Sequence, residues 1–325
     1  PVEYKISRPL KREVAAVAPY HKEITRAMAH ILRDVRAGKG VNYRVARKAA
    51  SVMVHSVLRN PDAMVWLARV KDKDSYSYNH SIRSAILATV FGRHIGLPQE
   101  VLDNLATGVL LMDVGKLKVP DELLNRAGPL NSSEMRQMRR HVEQGVAMLQ
   151  EQPGINDQVL GIVQHHHERH DGSGYPDQLV GARIPLLARI AGIVDTYDAV
   201  TSPRPWARAK SSNEAVSMLY DLRNETFHGE LVEQFIQSSG VYPTGTPGKL
   251  SNQELGVVIA QNPSRRLRPQ IMVVQDAEEQ PLPRPRLMDL MEVEEDAEGR
   301  KLSIASAVKP EACRVDLGSL QIGAA

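Results

Sequence analysis

The sequence predicts a mainly α-helical fold that ends in a small β-containing appendix. Two observations support this prediction. Apolar residues recur at helical spacing through most of the first 240 residues, and breaks rich in Pro, Gly or Asn separate the runs. After "GVYPTGTPG", the segments "KLSNQELGVVIAQ" and "RPQIMVVQD" have β-rich cores between turn residues.

Residues 1–72 are predicted to form N-terminal helices rich in Ala, Arg and Val. The best example is "VNYRVARKAASVMVHSVLRN", in which five small or apolar residues follow helical spacing and predict one buried face. These residues are Ala46, Ala49, Ala50, Met53 and Val57.

Residues 73–240 continue the helical pattern, with breaks at "GLPQE", "RAGPLNSSE", "EQPGIND" and "TSPRPW". Asn131 is a predicted N-cap, and Glu134, three residues later, completes a capping box. We assign residues 241–278 to the β-containing appendix. The acidic, Pro-containing residues 279–325 are predicted to be a flexible tail.

Composition excludes several classes of function. A formal net charge of +3 is too small to indicate binding of a nucleic acid polymer. No apolar run approaches the roughly 20 residues of a membrane span, and no secretory signal precedes the helices, so we expect a cytoplasmic protein. The single cysteine, Cys313, excludes an internal disulfide framework and a Cys-rich zinc site. The chain begins with Pro1, as expected for a piece of a longer protein.

Two carboxylates lie in unusually apolar surroundings. Asp113 ends the apolar run of "GVLLMDVGKLKVP", and Asp195 lies inside "LLARIAGIVDTYDAV". Burying even a neutral polar group without a partner costs about 2–7 kcal/mol, and burying a charge costs more. Cations placed between such carboxylates would remove this cost, so the pattern favours a metal centre.

Histidines supply the second indication of a metal centre. His80 and His141 each lie on an apolar helix face, where a lone histidine is more often a core residue than a ligand. The segment "QHHHERHDGSGYPDQLVG" is different, because four histidines are crowded ahead of a Gly-rich turn and packing does not require that density. Imidazole is the commonest metal ligand, and its mixture with carboxylates suits Fe, Mn, Zn or Ni.

The segment "HHERHDGSGYP" resembles the signature of the HD-GYP family, a branch of the HD superfamily of metal-dependent phosphohydrolases. The resemblance extends over roughly residues 74–240, where four further motifs follow the order and spacing of this family. They are "YSYNHS", "DVGKLKVPDELLNRAGPL", "RRHVEQG" and "IPLLARIAGIVDTYDAVTSPRPW". The resemblance implies an HD-type helical bundle that carries the metal site. It also implies a phosphodiesterase that hydrolyses cyclic di-GMP to linear pGpG, and in some members on to GMP, with a metal-activated water.

The resemblance also implies roles for individual residues. It makes Asp113 a bridging carboxylate between two divalent ions, most often Fe or Mn. The implied ligands are His80, Asp113 and Asp195 for the first ion, and Asp113, His141, His166 and His167 for the second. Lys116 would contact the phosphate near the scissile bond. His165 and His170 are predicted to lie at the surface or behind the ligands.

Two further elements follow from the same resemblance. Arg204 matches an arginine that contacts the nucleotide, and arginine suits bidentate recognition of phosphate or guanine. Gly174, Tyr175 and Pro176 form the loop that lies beside the site in this family. That loop is also linked to docking of GGDEF-domain proteins, which are therefore predicted partners beside cyclic di-GMP. The sequence leaves the oligomeric state open, a homodimer included.

The chain departs from the family pattern at two positions. Met112 stands where the family has the histidine of its His-Asp pair, and a thioether is a poor ligand for divalent Fe or Mn. We expect Met112 to fill space in the core. Tyr76 stands where some members have a glutamate for a third ion, so we predict two ions.

Met112 therefore leaves alternatives open. Either three protein ligands and water hold the first ion, or that ion is weak or lost and hydrolysis falls. The leading hypothesis is a cyclic di-GMP phosphodiesterase. The alternative is a catalytically weak or inactive receptor for cyclic di-GMP, or an interaction module for a GGDEF partner. A phosphohydrolase for another nucleotide is disfavoured by the intact GYP loop.

Overall fold

The protein is described here by a computed structural model. It describes residues 1–71, 76–126, 128–202, 209–309, 313 and 316–322, without the side chains of 70, 71, 76–78 and 317. Within these ranges the elements up to Ser239 are helices and an antiparallel sheet follows, so the predicted mainly α fold with a C-terminal β appendix is confirmed. No helix among these residues is both long and apolar enough to cross a bilayer.

The N-terminal helices form a layer with one buried face. They are α1 (Leu10–Arg36), α2 (Tyr43–Arg59), α3 (Pro61–Trp66) and a π-helical turn, Leu67–Lys71. The side chains of Asn42 and Asn60 accept hydrogen bonds from the backbone at the starts of α2 and α3. Such caps satisfy amide groups that a helix start otherwise leaves without partners. The face of α2 predicted to be buried is buried.

The central helices surround a continuous apolar core. In chain order they are α4 (Tyr76–His94), α5 (Gln99–Leu111), α6 (Asp121–Leu124), α7 (Ser132–Arg139), α8 (His141–Gln150), α9 (Asp157–His165), α10 (Leu186–Thr201), α11 (Ser212–Asp221) and α12 (Gly229–Ser239). Helix α4 packs against α5, α10 and α12, and α5 also packs against α2 and α9. The capping box of Asn131 and Glu134 is confirmed at the start of α7.

The predicted helix breaks fall between helices wherever the chain is described. "GLPQE" ends in the first turn of α5, "RAGPLNSSE" ends in the first turn of α7, and "EQPGIND" ends at the first residue of α9. Only the first two residues of "TSPRPW" are described. The boundary predicted after residue 72 also falls at residues outside those described, so it stays a prediction.

The C-terminal sheet has the strand order β4-β3-β2-β1-β5, with every neighbouring pair antiparallel. The strands are β1 (Pro247–Leu250), β2 (Leu255–Ala260), β3 (Gln270–Gln275), β4 (Pro281–Asp289) and β5 (Ile304–Ala307). Alternate side chains of β2 pack into two different apolar cores. Val257 and Ile259 join the helical core, whereas Val258 joins a smaller core on the other face.

The predicted flexible tail is wrong where β4 and β5 lie, because both strands belong to the sheet. β4 is an edge strand with mostly exposed residues, including Pro281, Pro283 and Pro285. Proline and charge are tolerated at a sheet edge, where one row of backbone groups needs no partner strand. The same composition is typical of flexible segments, which explains the error.

Candidate metal centre

Asp113 lies where α5 ends and a 3-10 turn, Val114–Lys118, begins. Its side chain is 12% exposed, and the Lys116 ammonium donates a hydrogen bond to Oδ2 at 2.6 Å. The turn packs tightly on the start of α8, because a Cβ atom at Gly115 would overlap the His141 carbonyl group. This close approach brings the aspartate next to the first of the predicted histidine ligands.

Three histidines lie beside this carboxylate, and two of them face one of its oxygens. His141 is the first residue of α8, and His166 and His167 directly follow α9. His141 Nε2 lies 3.5 Å from Asp113 Oδ1, and His166 Nε2 lies 3.6 Å from the same oxygen. The ligand atoms of these three histidines and Asp113 all lie within 4.8 Å of one another.

The hydrogen bonds of the ring nitrogens orient these histidines for ligation. His141 Nδ1 lies 2.7 Å from the Met138 carbonyl oxygen, and His166 Nδ1 lies 2.9 Å from that of Val163. A carbonyl oxygen only accepts, so each Nδ1 carries the hydrogen and each Nε2 presents a lone pair. Burial, partly opposed by Asp113, lowers the pKa of His141 to about 4, so this ring is neutral at pH 7. Burial and His166 also lower the pKa of His167.

The facing atoms form an arrangement that needs a cation. Asp113 Oδ1, His141 Nε2 and His166 Nε2 are buried, and none has a hydrogen-bond partner among the described residues. A carboxylate oxygen and the free nitrogen of a neutral imidazole are both acceptors, so at this separation they repel one another unless a positive charge lies between them. The donor set, three imidazoles and a carboxylate, fits a divalent transition metal.

A second group of ligand atoms uses the other oxygen of Asp113. His80, on α4, and Asp195, on α10, form this group together with Asp113. His80 Nε2 lies 3.0 Å from Asp195 Oδ1 and 3.9 Å from Asp113 Oδ2. The two groups predicted from the sequence are therefore each brought together, and Asp113 belongs to both.

Asp198 lies behind this second group and contacts His80, and sequence reasoning missed it. Its Oδ2 lies 2.7 Å from His80 Nδ1, and Arg83 donates to both of its oxygens. Burial alone would lower the pKa of His80, but hydrogen bonds to Asp195 and Asp198 raise it to about 9. A sequence signal was present, because Asp195 and Asp198 are three residues apart on one helix and share a face.

Met112 contributes no nitrogen or oxygen to either group. It is fully buried and belongs to the apolar core, as expected for a residue that fills space. The group around His80 therefore offers three protein ligands, whereas the group around His141 offers four.

The Gly-Tyr-Pro loop packs directly on the histidines. Gly174 lies so close to the backbone of residues 167–169 that a Cβ atom there would overlap it, which explains the need for glycine. The Tyr175 ring stacks on His167 with 4.7 Å between centroids, and the Tyr175–Pro176 peptide bond is cis. The buried Glu168 carboxylate accepts hydrogen bonds from the amides of Asp177 and Leu179, which holds the loop in place.

The remaining predicted residues lie elsewhere. His165 and His170 belong to neither group; His165 lies 3.5 Å from Asp177, and the His170 ring contacts His228. Arg204 lies outside the described residues, as does the side chain of Tyr76.

Comparisons with known proteins place the chain in a family. A family model described as HD domain matches residues 67–231, and another, KOW domain associated with HD domain, matches residues 249–314. The chain is 34% identical over 264 residues to the cyclic di-GMP phosphodiesterase PA4108 of Pseudomonas aeruginosa, covering 81% of this chain and 64% of that protein. It is 36% identical over 172 residues to the 3'3'-cGAMP-specific phosphodiesterase 1 of Vibrio cholerae, covering 53% and 39%.

A solved structure shares the fold. It is Bd1817, a HDG"Y"P protein from Bdellovibrio bacteriovorus, which aligns with a TM-score of 0.55 at 16% identity and covers 66% of this chain and 69% of that one. At this identity the likeness shows the fold alone. The chain spans less than two thirds of the length of the two curated relatives named above.

Proposed function

Since the chain belongs to the HD domain family and carries the HD-GYP signature in residues 166–176, we propose that it is a metal-dependent phosphodiesterase acting on cyclic di-GMP. Hydrolysis would give linear pGpG, with GMP as the product of a second cleavage. One observation carries the proposal. Buried acceptor atoms of Asp113, His141 and His166 converge with no hydrogen-bond partner in the described part of the chain.

The proposed site holds two divalent ions, with Fe and Mn as the best candidates. Asp113 is assigned the bridging role because its Oδ1 faces His141 and His166, whereas its Oδ2 faces His80. Nitrogen and carboxylate ligands suit both metals. When bound, two such ions would supply an activated water and polarise the phosphoryl oxygens.

Lys116 is proposed to contact the phosphate. Its ammonium lies 2.6 Å from Asp113 Oδ2, and its side chain is 36% exposed, so the charge lies at the border between the ligand cluster and solvent. A cation at this place stabilises negative charge that develops on a phosphodiester during hydrolysis. Arg204 keeps its proposed role in nucleotide contact on the resemblance alone, and GGDEF docking at the Gly-Tyr-Pro loop and a homodimer are likewise proposals.

The test is hydrolysis by the purified chain, with cyclic di-GMP and 3'3'-cGAMP as parallel substrates and separation of pGpG and GMP by chromatography. Asp113→Asn is expected to abolish turnover, because it weakens both ion sites at once. Glu143→Gln is the matched control, since Glu143 is an exposed carboxylate on α8. Turnover that survives in Asp113→Asn would refute the bridging role. Faster turnover of 3'3'-cGAMP than of cyclic di-GMP would refute cyclic di-GMP as the preferred substrate.

One observation favours a second candidate, a receptor that binds cyclic di-GMP without efficient turnover. The buried Met112 leaves the His80 group with three protein ligands. The two candidates separate when the metal content and turnover of the wild type are compared with those of Met112→His. About two ions per chain with turnover in the wild type supports the enzyme. One ion or none, with turnover only in Met112→His, supports the receptor.

A further inference from the structure

A large cavity lies apart from the candidate ligands. It is lined by residues 1–6, the C-terminal half of α4, helix α12 and the start of the sheet region, and its volume is about 1150 Å³. Pockets that hold drug-sized ligands and cofactors measure about 300–1,000 Å³. None of the six candidate metal ligands lines this cavity, so it is a separate feature of the molecule.

Three arginines line the interior of the cavity: Arg93 on α4, Arg189 on α10, and Arg266 between β2 and β3. All three are partly buried, and burial is the first cause that lowers the pKa of each. The Nε atoms of Arg93 and Arg189 are buried and have no hydrogen-bond partner within the described ranges. Arg93 donates through Nη2 to the Tyr4 carbonyl oxygen at 3.0 Å, so only part of its guanidinium lacks a partner. A buried guanidinium nitrogen without a partner is costly, so an anion in this cavity would be stabilising.

The acidic residues of the cavity meet this need only in part. Glu3 and Glu230 are exposed at its rim. Asp62 is buried and accepts hydrogen bonds from Thr244 Oγ1 at 2.6 Å and from the Gln261 amide at 3.3 Å. Its charge attracts Arg93 and Arg266, but one carboxylate does not balance three guanidinium groups. None of the three arginines forms a salt bridge with a carboxylate among the residues described. The interior therefore keeps an excess of positive charge.

The other walls suit an organic ligand rather than a bare inorganic anion. Leu87, Val90 and Phe235 supply apolar surface, and Gln234 supplies an amide beside it. Arginine forks bind phosphate groups through paired, charge-assisted hydrogen bonds. We propose that this cavity binds a phosphate-bearing organic anion of nucleotide size, with Arg93, Arg189 and Arg266 as its anion-binding residues.

The position of this second site links it to the metal centre without sharing a residue with it. Arg93 lies on the helix that carries His80, and Arg189 lies on the helix that carries Asp195. The proposal goes beyond the proposed function, because binding here requires neither metal nor hydrolysis.

The experiment is a calorimetric titration of the purified full chain with GMP, and separately with inorganic phosphate. Arg266→Gln is the main variant and Arg265→Gln its matched control, because Arg265 is the neighbouring arginine, is 59% exposed and does not line the cavity. Arg189→Gln is an independent variant on another element, and thermal melting checks the folding of each protein. Asp113→Asn separates any GMP binding at the metal centre from binding in the cavity.

We expect one GMP per chain that is retained in Asp113→Asn. The dissociation constant of GMP should rise at least about tenfold in Arg266→Gln and in Arg189→Gln, because each variant loses a charge-assisted hydrogen bond. In Arg265→Gln it should stay within about twofold of the wild-type value. Three results would overturn the proposal: no saturable GMP binding beyond a component lost in Asp113→Asn, equal weakening by Arg265→Gln and Arg266→Gln, or inorganic phosphate binding as tightly as GMP.

Discussion

His80 Nδ1 lies 2.7 Å from Asp198 Oδ2, on the edge of the ring that faces away from Asp195 and Asp113. A carboxylate in this position fixes which nitrogen keeps its hydrogen, and it makes the other nitrogen a better metal ligand. Arg83 holds the carboxylate from behind through both of its oxygens. The orientation of a candidate ligand on α4 therefore depends on a residue of α10.

Asp198→Asn should weaken the ion at His80 about 10- to 100-fold, the usual effect of losing a partner behind a metal-bound histidine. The ion held by His141, His166 and His167 should keep its affinity, because the ring that Asp198 contacts does not belong to that group of ligand atoms. Titration with Mn²⁺, together with elemental analysis, measures both affinities. Asp221→Asn, an exposed aspartate on α11, is the control. Equal loss of both ions would contradict this role.

Metal binding at the two groups should depend differently on pH. The pKa of His80 is raised from 6.5 to about 9, so below pH 9 the ring is protonated and a metal ion must displace a proton. Affinity for Mn²⁺ at this group should therefore rise about tenfold per pH unit between pH 6.5 and 8.5. His141, with its pKa lowered to about 4, needs no such displacement, so its group should show little change over that range.

The sign of the His80 effect on stability follows from the same shift. A pKa raised in the folded state stabilises the metal-free protein fully below pH 6.5, and this contribution is lost as the pH rises towards about 9. The metal-binding prediction has its own contrary result. If Mn²⁺ affinity changed with pH to the same extent at both groups, His80 would carry no extra proton.

Gly174→Ala should displace the Gly-Tyr-Pro loop, because the added Cβ atom would overlap the backbone of residues 167–169. Overpacking of this kind costs about 1–3 kcal/mol of unfolding free energy. We also expect turnover of cyclic di-GMP to fall, since Tyr175 would no longer stack on His167. Urea unfolding and a hydrolysis assay measure the two effects.

Gly161→Ala is the matched control for this loop. Gly161 lies inside α9, and a Cβ atom there meets no other atom within 4 Å. In an open helical position alanine is more stable than glycine by about 0.5–1 kcal/mol, so this variant should be slightly stabilised. Tolerance of Gly174→Ala equal to that of Gly161→Ala would show that the loop does not need the close approach.

Asp62, which is not one of the candidate metal ligands, should make the stability of the chain depend on pH. Burial, partly opposed by hydrogen bonds from Thr244 and Gln261, raises the pKa of Asp62 from 3.8 to about 6. The folded state then binds more protons than the unfolded state between these values, so the unfolding free energy falls as the pH rises through this window. A shift of this size corresponds to about 3 kcal/mol.

The comparison with Asp62→Asn isolates this effect. The difference in unfolding free energy between the wild type and this variant should change by about 2.4 kcal/mol between pH 4 and pH 7, in favour of the variant at pH 7. Urea titrations at the two pH values measure it, and the other carboxylates cancel in the difference. A constant difference would mean that Asp62 is ionised at no cost.

Much of the candidate site could be predicted because buried charge is visible in a sequence. Asp113 and Asp195 lie in apolar runs, and histidines crowd before a Gly-rich turn, so a metal centre could be inferred before any coordinates. The individual ligands, such as His80 and His141, were assigned from the resemblance to the HD-GYP family. Asp198 was missed because its helix neighbour already explained the pattern. Its role depends on the distance to the His80 ring on α4, and the spacing of residues within one helix does not predict a distance to another helix.

The C-terminal region shows the opposite limit. The strands β1 to β3 have apolar cores between turn residues and could be recognised, whereas β4 has alternating prolines and exposed charges. Its identity as a strand depends on its neighbour β3, because an edge position is a property of the assembled sheet. The arginines of the cavity were equally invisible, since they are distant in sequence and only the fold collects them.

The two-sided burial of β2 has a consequence for the cooperativity of the whole chain. Its odd-numbered valine and isoleucine are packed among the helices, while Val258 belongs to the core beneath the sheet. Melting the sheet would thus strip a layer of apolar contacts from the bundle, and the two parts should lose structure in a single transition. A fragment ending at Gly240 would present the uncovered apolar surface to solvent and is expected to self-associate.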